Sequence, residues 1–227
     1  MGRVVVIDGP AGSGKSTTAI ALAKKLGFIY LDTGAMYRAL TLKFTKLNIL
    51  EISNQSALKP ILDATRLEIF YGAGVLKVFL DGAEVTQDIR SVAVDKYVSE
   101  VSAVPMVRDY MHIQQRSFAQ DHDIVAEGRD LGTFVFPDAD VKIYLVADLE
   151  VRVRRRMLQK HATDKDYSIY RENLAKRDSI DSSRDHSPLK QAINAIVVDT
   201  TDLTFEQQVQ RIYELCLSQF ASQSAKK

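Results

Sequence analysis

The chain has 227 residues, 46% of them apolar and 26% charged, which is the composition of a globular protein with a full core and excludes disordered, collagenous and coiled-coil classes. Thirty Lys/Arg against 29 Asp/Glu leave a formal charge of +1, so no global electrostatic argument favours a nucleic-acid or membrane partner. The single cysteine, Cys216, excludes an internal disulfide framework, and no Cys/His cluster has zinc-ligand spacing. The length suits one large domain or one domain with an insertion, and the first apolar run is too short for a signal sequence or a membrane span, so a cytoplasmic monomer is expected.

Residues 4–7 (Val-Val-Val-Ile), closed by Asp8-Gly9, predict a strand buried on both faces, as in a parallel sheet. Residues 16–26 are good helix formers, with Ile20, Ala23 and Leu26 near helical spacing and Gly27 placed to cap the end. A second strand at 28–31 and a second helix at 35–46 follow. The rhythm breaks between Leu50 and Val101. There 66–71 and 75–80 read as strands joined by a turn at Gly72-Ala-Gly74, with another turn at Asp81-Gly82, which predicts a small antiparallel insertion. Apolar runs at 124–126, 141–146 and 195–198 bring the core strands to five, alternating with helices in the manner of an α/β fold. Phe205, Val209, Ile212, Cys216 and Phe220 predict one apolar stripe on a C-terminal helix, with Cys216 a core residue, and the polar tail from Ser222 is expected to fray.

Gly9-Pro10-Ala11-Gly12-Ser13-Gly14-Lys15-Ser16 matches the phosphate-loop pattern G-x-x-x-x-G-K-[ST] at every fixed position, and it lies between a predicted strand and a predicted helix. Its glycines let backbone N–H groups turn inward around phosphate, and the following helix presents its positive end. Residues Gly9 to Ser16, with Thr17, are therefore the candidate ATP site. Lys15 is placed to bridge the β- and γ-phosphates, and the Ser16 hydroxyl to hold Mg²⁺. Glu127, ending the strand at 124–126, is a candidate to orient Mg²⁺-bound water, although a plain strand-end carboxylate fits the same position. The chain contains neither Asp-x-x-Gly nor Asn-Lys-x-Asp, which disfavours a guanine-nucleotide switch.

A small-molecule kinase remains, because bringing two phosphorylated substrates together demands neutralising charge, and arginine forks do this well. Arg38, Arg108, Arg129, Arg177 and Arg184 are the candidates, each of which taken singly also fits a surface ion pair. Between residues 150 and 190, eleven Lys/Arg stand against seven Asp/Glu, a local basic segment that suits a small anion or simply a solvated helix face. A regulatory module that binds ATP without transferring phosphate stays open.

Ile7-Asp-Gly-Pro-Ala-Gly-Ser-Gly-Lys-Ser16, Leu31-Asp-Thr-Gly-Ala-Met-Tyr-Arg38, Glu127-Gly-Arg-Asp-Leu-Gly-Thr133 and Arg177 through Arg184 resemble, in order and spacing, the bacterial cytidylate kinases, over essentially the whole chain. The resemblance implies a P-loop NTPase fold of the adenylate-kinase type. It comprises a five-stranded parallel sheet in the order 2-3-1-4-5 flanked by helices, an antiparallel β-containing insertion and a lid. One kinase domain over 1–227 would divide into a core (about 1–38, 102–150 and 190–227), a monophosphate-binding insertion (about 39–101) and a lid region (about 151–189). The implied reaction moves the γ-phosphoryl group of ATP, with Mg²⁺, onto CMP or dCMP. Kinases of UMP, AMP or shikimate are the alternatives.

Carried over by position, the resemblance places Thr33, Arg108, Asp130 and Arg184 on the cytosine ring and Ser99, Arg177 and Asp181 on the pentose. It places Arg38 and Arg129 on the acceptor phosphate, making these two and Lys15 the catalytic candidates. Cytosine offers an amine donor beside ring acceptors, so an acid (Asp130) with a donor fork (Arg108) complements its edge, unless the two simply pair with each other. Arg177 and Asp181, four apart on one expected helix, also fit an ordinary ion pair. The run Arg152-Val-Arg-Arg-Arg is expected to begin the lid over the ATP phosphates, and adenine is expected near residues 199–202.

Overall fold

A computed structural model describes residues 2–49, 55–72, 75–120 and 122–225. In chain order the elements are β1 (Val4–Asp8), α1 (Lys15–Leu26), β2 (Ile29–Asp32), α2 (Thr33–Lys46), α3 (Gln55–Asp63), β3 (Leu67–Gly72), β4 (Val75–Leu80), β5 (Ala83–Glu84), α4 (Val92–Val101), α5 (Pro105–Phe118), β6 (Ile124–Gly128), β7 (Val141–Val146), α6 (Leu149–Gln159), α7 (Tyr167–Ser183), β8 (Ile196–Asp199) and α8 (Phe205–Ser224). A π-helical turn at Leu131–Val135 follows β6. The chain forms two compact units, one of residues 1–30 and 119–227, the other of residues 31–118.

The first unit is organised by the five-stranded sheet, whose order is β2-β6-β1-β7-β8. Counted among these five strands alone, that order is 2-3-1-4-5. β1 pairs in parallel with β6 and with β7, and β7 in parallel with β8. Having partners on both sides, β1 is buried at all five positions, which is why Val4 to Ile7 reads as an unbroken apolar run. The parallel arrangement brings Asp8 and Gly128 into register at the strand ends, where ligands bind in open α/β sheets.

In the second unit the antiparallel order is β3-β4-β5. Asp81 and Gly82, with φ of 52° and 84°, join β4 to β5 in the left-handed conformation that suits a tight hairpin. Asp81 is further fixed by accepting the Arg66 N–H at 2.9 Å and by a 2.8 Å ion pair to Lys43. Ile69, Val78 and Leu80 of this sheet are buried, as are Leu58 and Leu62 of α3 and Val94, Val98 and Val101 of α4. The expected turn at Gly72-Ala-Gly74 lies largely outside the described residues, although Gly72 pairs with Val75 across the hairpin.

Three local expectations need correction. The inner face of α1 is Lys15, Thr18, Ala19, Leu22 and Ala23, and Ile20, about 100° round the helix from Ala19, is 37% exposed. Phe205 is also exposed. It is the first helical residue after the Thr204 cap, whose capping box with Gln207 fixes the start, and the buried stripe of α8 begins only near Val209. The tail does not fray at Ser222, since α8 runs to Ser224 and Gln223 donates to the Asp140 carbonyl at 2.9 Å. Cys216 is fully buried, and burial pushes its thiol up to about 12.

Candidate functional site

The glycine loop follows β1. Gly9 has φ of 150°, and a Cβ there would lie 2.1 Å from the Leu145 carbonyl oxygen of β7, so no larger residue fits without moving the sheet. Gly14, with φ of 91°, is the N-cap of α1 and offers no side chain to its helix, which leaves the first amides of α1 open to an anion. Lys15 folds back across the loop and donates to the Pro10 carbonyl at 2.6 Å, and Ser13 Oγ donates to the same oxygen at 3.1 Å. Burial holds the Lys15 ammonium well below its usual pKa, the nearby Arg129 and Arg177 charges act in the same direction, and Glu127 and Asp181 oppose them.

Ser16 Oγ donates to Glu127 Oε1 across 111 residues of sequence, and the buried Tyr30 hydroxyl donates to the same oxygen at 3.0 Å. The β2-β6-β1 order and the start of α1 bring these three together. Hydroxyl and carboxylate oxygens are hard donors of the kind Mg²⁺ takes, and Mg²⁺ needs few protein ligands because phosphates and water complete its shell. The set fits the ion, and among the described residues no group of three or more His, Cys, Asp or Glu forms a self-sufficient metal cage.

Beyond β6 the chain turns sharply. Asp8, buried at the end of β1, accepts the amides of Leu131 and Gly132 at 3.0 and 2.7 Å and so fixes the turn that follows Asp130. Burial raises the Asp8 carboxyl to about 6 despite these two hydrogen bonds, and the neighbouring Asp130 charge adds to the rise.

Asp181 on α7 accepts Arg129 Nε at 2.8 Å and lies 3.5 Å from Arg184 Nη1, while Arg184 Nη2 lies 3.7 Å from Asp130 Oδ1. Burial would raise the Asp181 carboxyl, but the Arg129 and Arg177 charges outweigh it and hold the group below its usual range. Arg129, Asp130, Asp181 and Arg184 thus form one network. Asp181 is buried rather than part of an exposed pair with Arg177, which acts on it through charge.

In the second unit, Arg38 pairs with Asp95 at 2.7 Å and donates to the Ile89 carbonyl at 3.3 Å. Arg108 is only 1% exposed; it donates to the Ser102 carbonyl at 2.9 Å and stands 5.4 Å from the centre of the Tyr37 ring. Thr33 is buried at the start of α2, and Ser99 is half-buried on α4.

Two arginines of the run expected to begin the lid bond to the protein's own backbone and side chains. Arg155 donates to the Thr200 carbonyl at 2.6 Å and to its hydroxyl at 3.0 Å. Arg152 is buried and bonds to the Ala11 carbonyl, the Ala147 carbonyl and Asp178. Sequence reasoning passed over Asp8, Tyr30 and Asp178. Only Asp8 carried a signal, as an acid closing an apolar strand directly before the loop.

The profile of the family described as cytidylate kinase matches residues 5–218. The chain belongs to the cytidylate kinase family. A cytidylate kinase of Caldanaerobacter subterraneus subsp. tengcongensis is 46% identical over 220 residues, 92% of each chain. One of Carboxydothermus hydrogenoformans is 45% identical over 93% of this chain and 96% of its own, and one of Bacillus anthracis 40% identical over 96% and 97%. Among the described residues of this family member no helix is long and apolar enough to cross a membrane.

Proposed function

We propose that the protein transfers the γ-phosphoryl group of ATP to CMP or dCMP, giving ADP and CDP or dCDP. The observation that carries this is the buried Arg129–Asp181–Arg184–Asp130 network, whose charges reach the phosphate-loop lysine: cations to neutralise an acceptor phosphate stand beside acids able to bind sugar hydroxyls and a base amine. An oxygen of the acceptor phosphate forms a bond to the γ-phosphorus as the bond to the β-γ bridging oxygen breaks. The acceptor is already ionised, so no catalytic base is required. Lys15 neutralises charge that shifts toward the leaving oxygen, and the loop amides of Gly12, Ser13 and Gly14 cradle the donor. Ser16, and Glu127 through water, would hold Mg²⁺, which would supply positive charge against the charge of the donor phosphates.

Arg38 and Arg129 are assigned to the acceptor phosphate; Thr33, Arg108, Asp130 and Arg184 to the cytosine; and Ser99, Arg177 and Asp181 to the pentose. Residues 39–101 would then be the monophosphate-binding insertion and 151–189 the lid, which excludes water that would otherwise hydrolyse ATP. Adenine is assigned to the loop at 199–202, and the protein is taken as a cytoplasmic monomer acting on small molecules. A coupled assay across CMP, dCMP, UMP, AMP and shikimate tests the reaction. Diphosphate formation from CMP and dCMP but not from AMP or shikimate is expected, whereas saturable ATP binding without turnover on any acceptor would replace the enzyme by a binding module.

A further inference from the structure

We propose that Arg152 and Asp178 act together as positioning residues for the phosphate loop, holding the peptide groups of Ala11 so that the rest of the loop takes its nucleotide-binding shape. Asp178 Oδ1 accepts the Ala11 N–H at 3.0 Å, and Arg152 Nη1 donates to the Ala11 carbonyl at 2.9 Å. The same Nη1 bonds Asp178 Oδ2 at 2.5 Å, and Arg152 Nε is anchored on the Ala147 carbonyl at 3.0 Å. The result is a closed circuit in which one ion pair grips both polar groups of a single loop residue. That residue's amide is spent on Asp178 and is therefore not a phosphate ligand, unlike the free amides at the start of α1.

Packing supports the same assignment. The Ala11 methyl is buried in a cluster with Val153 and Met157 of α6 and Leu174 of α7. The next residue, Gly12, has φ of 76°, and a Cβ there would come within 3.2 Å of both Cβ and the carbonyl oxygen of Arg152. The middle of the loop is thus seated against α6 and α7 by apolar contact and fixed by their charge pair. α7 also carries Asp181, three residues on, which orients Arg129. One helix therefore fixes a donor-side loop through Asp178 and an acceptor-side arginine through Asp181, so the two carboxylates have separable roles.

The inference rests on the loop being the ATP site, which the wild-type acceptor assay tests by itself. Two variants test the pair. Asp178→Asn keeps the size but sets an amide donor against the guanidinium, while the double variant R152M/D178L replaces the buried pair by apolar side chains, a change that often preserves stability. Each is measured for KM of ATP and of CMP, kcat, melting temperature, and hydrogen exchange of the peptide spanning residues 9–16 without nucleotide. The expected result is a KM for ATP raised about tenfold or more, the loss of a charge-assisted hydrogen bond, with KM for CMP at saturating ATP within about twofold of wild type and faster exchange in the loop. The double variant should regain melting temperature but not ATP affinity. Should Asp178→Asn fail to fold, the double variant decides. Wild-type KM for ATP and unchanged loop exchange in the folded variant, or equal losses for ATP and CMP, would overturn the assignment.

Discussion

Asp181→Ala separates the possible roles of the acceptor-side network. The wild-type side chain is 5% exposed, accepts Arg129 Nε at 2.8 Å and faces Arg184 at 3.5 Å, and its removal leaves Arg129, Arg177 and Arg184 without their shared carboxylate. An exposed intrahelical pair would contribute only about 0.3–0.5 kcal/mol. Deleting one partner of a buried pair costs about 3–5 kcal/mol, which at about 2–4 °C per kcal/mol for a chain of this size lowers the melting temperature by at least about 6 °C. The sign with pH is fixed by the depressed carboxyl. A folded pKa below the unfolded 3.8 contributes stability that is complete above that value and is lost as pH falls through the folded pKa, so wild type and variant should differ at pH 7 and converge in acid. Calorimetry without nucleotide at both pH values, alongside kcat/KM for CMP and dCMP, measures both roles. Efficiency should fall for both nucleotides, and further for CMP, which alone carries a 2′-hydroxyl. A melting temperature within about 2 °C of wild type would refute the buried-pair energetics, and equal losses for CMP and dCMP would refute the 2′-hydroxyl contact.

Lys15→Ala should lower kcat by about 10³-fold without lowering the melting temperature, because burial already disfavours the charge in the free protein; near-normal initial rates would contradict the loop assignment. The Asp8 carboxyl, raised from 3.8 to about 6, contributes stability that is present below pH 3.8 and lost as pH rises through 6, so the stability of wild type relative to Asp8→Asn should fall by about 3 kcal/mol over that window in pH-dependent denaturation, and a flat difference would refute the shift. Loss of Arg38 or Arg129 should impair CMP and UMP turnover by similar factors, whereas loss of Arg108 or Asp130 should hurt CMP more; one common factor across all four variants in steady-state assays would remove the base pocket. Ile212→Ala in the fully buried stripe of α8 should cost about 2–5 kcal/mol in urea unfolding, and Phe205→Ser at its exposed start less than about 0.5 kcal/mol.

The phosphate loop, the strands of the sheet, the antiparallel insertion and the burial of Cys216 are legible in the sequence because each depends on local rules: glycine where φ is positive, β-branched runs where both strand faces are covered, and a 3.6-residue period where a helix packs. Local rules also mislead, as at Ile20, because spacing tells which residues share a helix face and not which face the core will cover. What the sequence by itself leaves undecided is which charge meets which. Arg177 is the natural partner for Asp181 by spacing, yet the closest partner is Arg129, 52 residues away, since β6 ends beside the face of α7 on which Asp181 lies. Ser16 reaches Glu127 across 111 residues for the same reason, the adjacency of β6 and β1 in a crossed-over parallel sheet. Arg152 and Arg155 of α6 likewise bond to Ala11 and Thr200 because those carbonyls come within their reach only after folding. Helices, strands and the glycine loop follow from neighbours in sequence. The pairing of buried charges follows from strand order and helix packing, because a buried charge must be compensated by whatever opposite charge the tertiary fold brings within a few ångströms.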